Sequence, residues 1–289
     1  MARVVLRVVY GVAAVALSTY IWSATHRTPA PSYPPTTTSS SSTPASTTTT
    51  TTTAFRGDTT ASSEQLAPLS SGDLDELTVA IDPGHNGGNA THPEIINRLV
   101  PDGRGMKACD TTGTATNSGF PESTFTFSVA TKLADLLRQR GATVVMTRSN
   151  NWSVGPCVNQ RATIGNGADV ALSLHGDGGP IDGRGFAVLT PTGVGPSIVM
   201  TREANRLAGI VRNHLENASF RPSTYLGIDG IQPRSDLAGL NLSTTPKIFV
   251  ECANMKNADD GRDMQDPTWR NRLAGTLADA VAVFLASRH

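Results

Sequence analysis

From Leu77 onward, short apolar runs alternate with segments of helical period, and three of the runs deliver a reactive side chain at their end. Leu77-Thr-Val-Ala-Ile81 leads into Asp-Pro-Gly-His85, Val170-Ala-Leu-Ser-Leu174 into His175, and Lys247-Ile-Phe-Val250 into Glu251. Alternating strand and helix signals predict an α/β domain, with helices on the faces of a mainly parallel, twisted sheet of about five or six strands. In such a sheet the carboxyl ends of the strands converge on one crevice, where ligands bind.

The remaining elements follow from period and punctuation. Ser123–Arg140 carries Val129, Leu133, Leu136 and Leu137 at helical spacing and stops at Gly141. Ala142–Thr147 and Gly185–Leu189 read as strands, Val158–Gly165 as a short helix. Ser197–Asn217 reads as a helix with Ile198, Leu207, Ile210, Val211 and Leu215 inward. Asp266 caps a last helix to Ser287, with Pro267 at its first position. Asn86–Pro121 and Tyr225–Thr245 are expected to be loops.

The first part of the chain has a different character. Arg3 and Arg7 flank the start of a mostly apolar run, Val8–Ala24. Its length falls between a signal-peptide core and a membrane span of ~20 residues. Residues 1–27 therefore read as a signal peptide or a signal anchor with its amino terminus inside. Residues 28–76 are rich in Thr, Ser and Pro, with Thr47–Thr53 unbroken. Too little apolar surface is available there to offset chain entropy, so a disordered linker is expected. Residues 77–289 are left as the folded domain. Either reading of the leader places it outside the cytoplasm, secreted or anchored to the membrane by the leader alone. Basic and acidic residues balance at 24 each and aromatics make up 5%, which argues against a nucleic-acid partner.

An exported chain favours paired cysteines. Cys252 follows Glu251 on a strand and so points to the opposite face as a buried thiol. Cys109 and Cys157 remain to pair; the alternative is three free thiols. The absence of CxxC spacing argues against a cysteine-ligated zinc.

Two imidazoles and a carboxylate form the ligand set of a hydrolytic zinc ion with an open position, and a further carboxylate beside it can move protons. Taken alone, His85 reads equally as a loop histidine bonded to backbone. Glu122, after Pro121 at a helix start, reads equally as a carboxylate favoured by the helix dipole. His175 reads as a ligand or a satisfied core histidine. Glu251 is the sharpest signal, because a carboxylate directly after Ile-Phe-Val is costly unless it pairs, binds metal or works. Its alternative is a salt bridge to Arg234 or Arg161.

Together, Val79-Ala-Ile-Asp-Pro-Gly-His85, Pro121-Glu122, Met146-Thr-Arg148, Arg161 with Asn166–Asp169, Ser173-Leu-His175, and Pro246–Glu251 with Asn257 resemble the zinc-dependent N-acetylmuramoyl-L-alanine amidases. These elements occur in that family's order from Leu77 to the end. Asn86 where glycine is usual and Ala253-Asn254 in place of Gly-Phe are departures that remove no ligand. The resemblance implies one Zn2+ held by His85, Glu122 and His175, with Glu251 as the catalytic base and acid. The bond cut would join N-acetylmuramic acid to L-alanine of the stem peptide, in wall turnover or daughter-cell separation. Peptidoglycan or muropeptides would be the partner of a monomeric enzyme. Asp82 and Asp177 are expected to accept from the outer ring nitrogens of the histidines. Arg161 and Arg234 are expected on substrate carboxylates or, equally, in structural ion pairs. The other readings are a different zinc hydrolase of the wall and a wall-binding or activator module without catalysis.

Overall fold

A computed structural model describes residues 73–288; the expected leader and most of the expected linker lie outside the described residues. In chain order the elements are β1 (Thr78–Pro83), α1 (Pro93–Ile96), β2 (Leu99–Pro101), β3 (Met106–Ala108), α2 (Glu122–Gln139), β4 (Thr143–Met146), α3 (Val158–Ile164) and β5 (Val170–Asp177). There follow β6 (Ala187–Pro191), α4 (Thr201–Asn217), β7 (Ile231–Arg234), α5 (Ala238–Asn241), β8 (Lys247–Asn254), α6 (Ala258–Gln265) and α7 (Pro267–Ala286).

Six strands form one sheet in the order β4-β1-β5-β8-β6-β7. The central strands β1, β5 and β8 are near-continuous apolar runs because both their faces are covered. Every pairing in this sheet is parallel except β6 with β8, which is antiparallel. The sheet is thus the expected mainly parallel α/β arrangement, with one reversed join.

Side chains alternate between the two faces of a strand. Val79 and Ile81, Leu172 and Leu174, and Ile248, Val250 and Cys252 enter the main core. There they meet Phe125, Val129, Leu133 and Leu137 of α2, Leu207, Val211 and Leu215 of α4, and Leu273, Leu277 and Val281 of α7. The opposite face carries Asp82, Ser173, His175, Lys247, Phe249 and Glu251, under α3 and α5. One face of the sheet is oil, and the other holds the polar chemistry.

Three expectations change. Asn86–Pro121 is not plain loop: it holds α1 and the β2–β3 hairpin, each too short to show a period. Tyr225–Thr245 contributes β7 and α5; Pro233 sits in β7, at the sheet edge where a missing amide donor is tolerated. Ile198 is 66% exposed rather than inward, because Gly195–Val199 winds as a 3-10 turn and α4 begins only at Thr201. At the last helix the Asp266 side chain does cap, accepting from the Thr268 amide at 2.9 Å.

The structure closes the Cys109–Cys157 disulfide and leaves Cys252 as a buried free thiol. Cys157 is the N-cap of α3, and the Val158 amide donates to the Cys109 carbonyl at 2.7 Å. The bond therefore ties the β2–β3 segment to the start of α3. With 48 positions between the cysteines, the chain-entropy model gives about 4 kcal/mol. Replacing both cysteines by alanine is expected to lower the unfolding free energy by roughly that amount in urea titration. An unchanged midpoint would show that this loop is already ordered in the unfolded chain.

Candidate metal centre

His85 stands just past β1 in a turn whose backbone is held from outside. It adopts φ 58°, a left-handed conformation that costs a non-glycine residue of order 1–3 kcal/mol. Arginine side chains bind the turn's carbonyls. Arg148 Nε donates to Pro83 O at 2.9 Å, while Arg161 donates to Pro83 O at 2.8 Å and to His85 O at 2.9 Å. Gly84 is required by a close approach. A Cβ there would lie 2.2 Å from His175 Cε1, so only a bare Cα lets the two histidines approach.

Glu122 is the first residue of α2, where the helix dipole favours a carboxylate. It is 3% exposed, and its oxygens accept from the Thr114 amide at 2.8 Å and the Gly176 amide at 3.1 Å. Its Oε1 lies 3.3 Å from His85 Nε2 and 3.1 Å from His175 Nδ1. Burial opposes its charge, but the His85 charge and the hydrogen bonds from both imidazoles outweigh this and hold the carboxyl well below its usual range. For His85, burial would lower the imidazole; the Glu122 and Asp110 carboxylates override it and raise the group to about 10.

One ligand atom from each of His85, Glu122 and His175 falls within 4.8 Å of the others, a group that could hold a metal ion. The outer nitrogens test the fit. His85 Nδ1 faces Asp110 Oδ1 at 3.2 Å, a carboxylate that can only accept, so that nitrogen carries the proton. His175 Nε2 meets Ser173 Oγ at 3.2 Å, and Ser173 Oγ donates to Asp82 Oδ2 at 2.7 Å, so that nitrogen also donates. The inner nitrogens face Glu122, and on giving up their protons they would turn lone pairs to the same point. Two imidazoles and a carboxylate converging there fit zinc, which would take the place of those protons.

Glu251 is the register partner of His175 across β5 and β8. It lies outside the cluster of three and lines a cavity of ≈ 240 Å³ together with His85, His175, Asp82 and Phe249. Burial, with the charges of Glu122 and Asp177 adding, pushes its carboxyl up to about 7. A carboxylate tuned near neutrality beside a metal site is suited to taking and returning a proton.

The other expected residues sit differently. Asp82 does not touch an imidazole. It is the register partner of Ser173 and reaches His175 only through that hydroxyl, while also holding Thr147, Arg161 and the buried Lys247. Asp177 touches neither histidine: the outer nitrogen of His175 points back along β5 to Ser173, and Asp177 takes the Tyr225 hydroxyl at 2.5 Å instead. Arg161 is 3% exposed, with its donors committed to Asp82, Asp110 and the carbonyls of Pro83, His85 and Pro156. It is a buried ion-pairing residue rather than a free substrate contact. Arg234 makes a fork to Asp236, with both contacts at 2.7 Å.

Sequence reading gave no role to Ser173, Lys247 or Phe249, although they lie in the runs that end at His175 and Glu251, and did not single out Asp110. Phe249 stacks on His175, with centroids 5.0 Å apart and planes at 8°. Asp110 had one available signal, its place directly after a paired cysteine.

Known proteins resemble this chain in sequence and fold. Residues 79–283 match the family model described as N-acetylmuramoyl-L-alanine amidase. The chain is 42% identical over 221 residues to N-acetylmuramoyl-L-alanine amidase Rv3717 of Mycobacterium tuberculosis (strain ATCC 25618 / H37Rv), covering 73% of this chain and 88% of that protein. The crystal structure of the amidase Ami1 from Mycobacterium smegmatis aligns with a TM-score of 0.68 at 39% identity, over 74% of this chain and 99% of that one. The apo form of Ami1 from Mycobacterium abscessus gives 0.70 at 41%, over 73% of this chain and 100% of that one. With a matching family model across most of the folded residues and relatives at this identity, the chain belongs to the N-acetylmuramoyl-L-alanine amidase family.

Proposed function

We propose that residues 77–289 are a zinc-dependent catalytic domain that hydrolyses the amide between N-acetylmuramic acid and L-alanine of peptidoglycan stem peptides. Family membership supports the reaction. The observation that carries the chemistry is the convergence of His85, Glu122 and His175 within 4.8 Å, with Glu251 beside His175 in the sheet. Bound by those three side chains, zinc would supply Lewis acidity, lowering the pKa of a water to near ~7 and polarising a carbonyl.

The chain's own residues do the rest. Glu251 takes a proton from the attacking water and returns it to the departing L-alanine nitrogen. Phe249, Leu237 and Ala238 line the cavity with apolar surface that limits competing water. We assign Arg234 to a substrate carboxylate, which would displace Asp236 from its fork.

In this reading residues 1–27 export or anchor the chain and residues 28–76 tether a monomeric domain within the wall, outside the cytoplasm. Mass spectrometry of muropeptides digested by the full chain tests the reaction. Free stem peptides with L-alanine amino termini are expected, and a chelator should abolish them. Cleavage at another bond would assign a different zinc hydrolase, and no cleavage with zinc bound would assign a wall-binding module.

A further inference from the structure

The two histidines are joined behind the site as well as in front of it. His85 Nδ1 donates to Asp110 Oδ1 at 3.2 Å, and Asp110 Oδ2 accepts from Arg161 at 3.2 Å. Arg161 donates in turn to Asp82 Oδ1 at 3.0 Å. Asp82 Oδ2 accepts from Ser173 Oγ at 2.7 Å, and Ser173 accepts from His175 Nε2 at 3.2 Å. Glu122 Oε1 closes the circuit through the inner nitrogens of both rings. Each donor along the back is therefore assigned, and Arg161 is the link between the His85 arm and the His175 arm.

The guanidinium suits this place. Its planar fork presents several donors at fixed angles, so it can hold both carboxylates while binding the Pro83 and His85 carbonyls of the strained turn. The ammonium of Lys247 lies 3.6 Å from Asp82 Oδ2 and serves one carboxylate only. With Asp82, Asp110 and Arg161 all buried, water cannot substitute for a lost contact without rearrangement.

We propose that Arg161 is a positioning residue that fixes the tautomers and ring orientations of both His85 and His175 through Asp110 and Asp82, and so sets the zinc affinity of the site. It rests on the zinc reading above. Losing a partner that orients a metal-bound histidine typically costs 10–100-fold in metal affinity. A residue that served the turn alone would alter stability and leave the affinity of the folded protein unchanged.

The test is zinc affinity of the full chain, by competition with a chromophoric chelator, for the parent, Arg161→Lys, Arg161→Met, Asp110→Asn and the pair Arg161→Met/Asp110→Asn. Circular dichroism selects folded variants. Asp110→Asn and Arg161→Met are each expected to weaken zinc by roughly 10–100-fold, and the pair by much less than the product of the two. Arg161→Lys keeps the buried charge but not the fork, and is expected to bind several-fold more weakly than the parent. Fully multiplicative losses, or a folded Arg161→Lys within twofold of the parent, would overturn the proposal; the lysine variant decides alone if Arg161→Met does not fold. A parent that holds no zinc would overturn the metal reading and this inference with it. A parent that binds zinc tightly beside an indifferent Arg161→Lys overturns this inference alone.

Discussion

Glu251→Gln is expected to lower turnover on peptidoglycan by ~10²–10⁴-fold while zinc content stays at the parent level, the span typical of a lost general base. The separation of effects follows from position. Glu251 lies outside the three-residue cluster, and the described residues donate no hydrogen bond to it, so an amide of equal size leaves the ligands in place. Zinc analysis alongside kinetics checks both halves. Parental turnover in the folded, zinc-loaded variant would remove Glu251 from the mechanism, and zinc loss would make it a ligand.

The same carboxyl predicts a pH dependence. Its folded value of about 7 is raised from an ordinary 4.5, so folding favours the protonated form. In metal-free protein its contribution is fully present below pH 4.5 and is lost as pH rises through about 7. At ~1.4 kcal/mol per pH unit this is at most about 3.5 kcal/mol, and Glu251→Gln should flatten that part of the stability profile. A cation in the site favours the charged carboxylate, so activity in the loaded enzyme should fall on an acid limb below pH 7.

Glu122→Gln should have the largest effect on the metal itself. The carboxylate accepts from the Thr114 and Gly176 amides and faces both imidazoles. An amide side chain offers one acceptor and turns its NH2 group onto other donors, which leaves buried polar groups unpaired at roughly 1–3 kcal/mol each. Zinc affinity should fall by more than the ~10–100-fold cost of losing an orienting partner. Equilibrium dialysis measures this, and the metal-free variant should also unfold at lower urea. Parental zinc retention in Glu122→Gln would show that the ion sits elsewhere. Since Glu251→Gln should keep zinc and lose turnover, the pair of variants separates holding the ion from moving the proton.

What could be read from the chain was what depends on local period. Apolar runs ending at His85, His175 and Glu251 placed three strands, and their alternation placed Cys252 in the main core. The Asp266 cap and the cysteine pair were legible for similarly local reasons. Contacts between distant segments were not. Asp110 lies in irregular chain 25 positions from the histidine it supports, and Ser173 looks like ordinary strand filler until β1 brings Asp82 beside it. The fate of Arg161 depended on carbonyls gathered from Pro83, His85 and Pro156, which no spacing announces. The reversed direction of β6 leaves no mark on its composition, and Pro233 hid β7.

Positions 250, 251 and 252 of β8 look alternately into oil, cleft and oil. A conservative apolar substitution at Ile248 or Val250 keeps this alternation, but a one-residue insertion or deletion within the strand does not. Either Val250 or Cys252 would be presented opposite His175, and the carboxylate would be forced among hydrocarbon. For the diversification of such enzymes, strand length is thus a stricter quantity than strand composition, and frame-preserving changes of length belong in the loops.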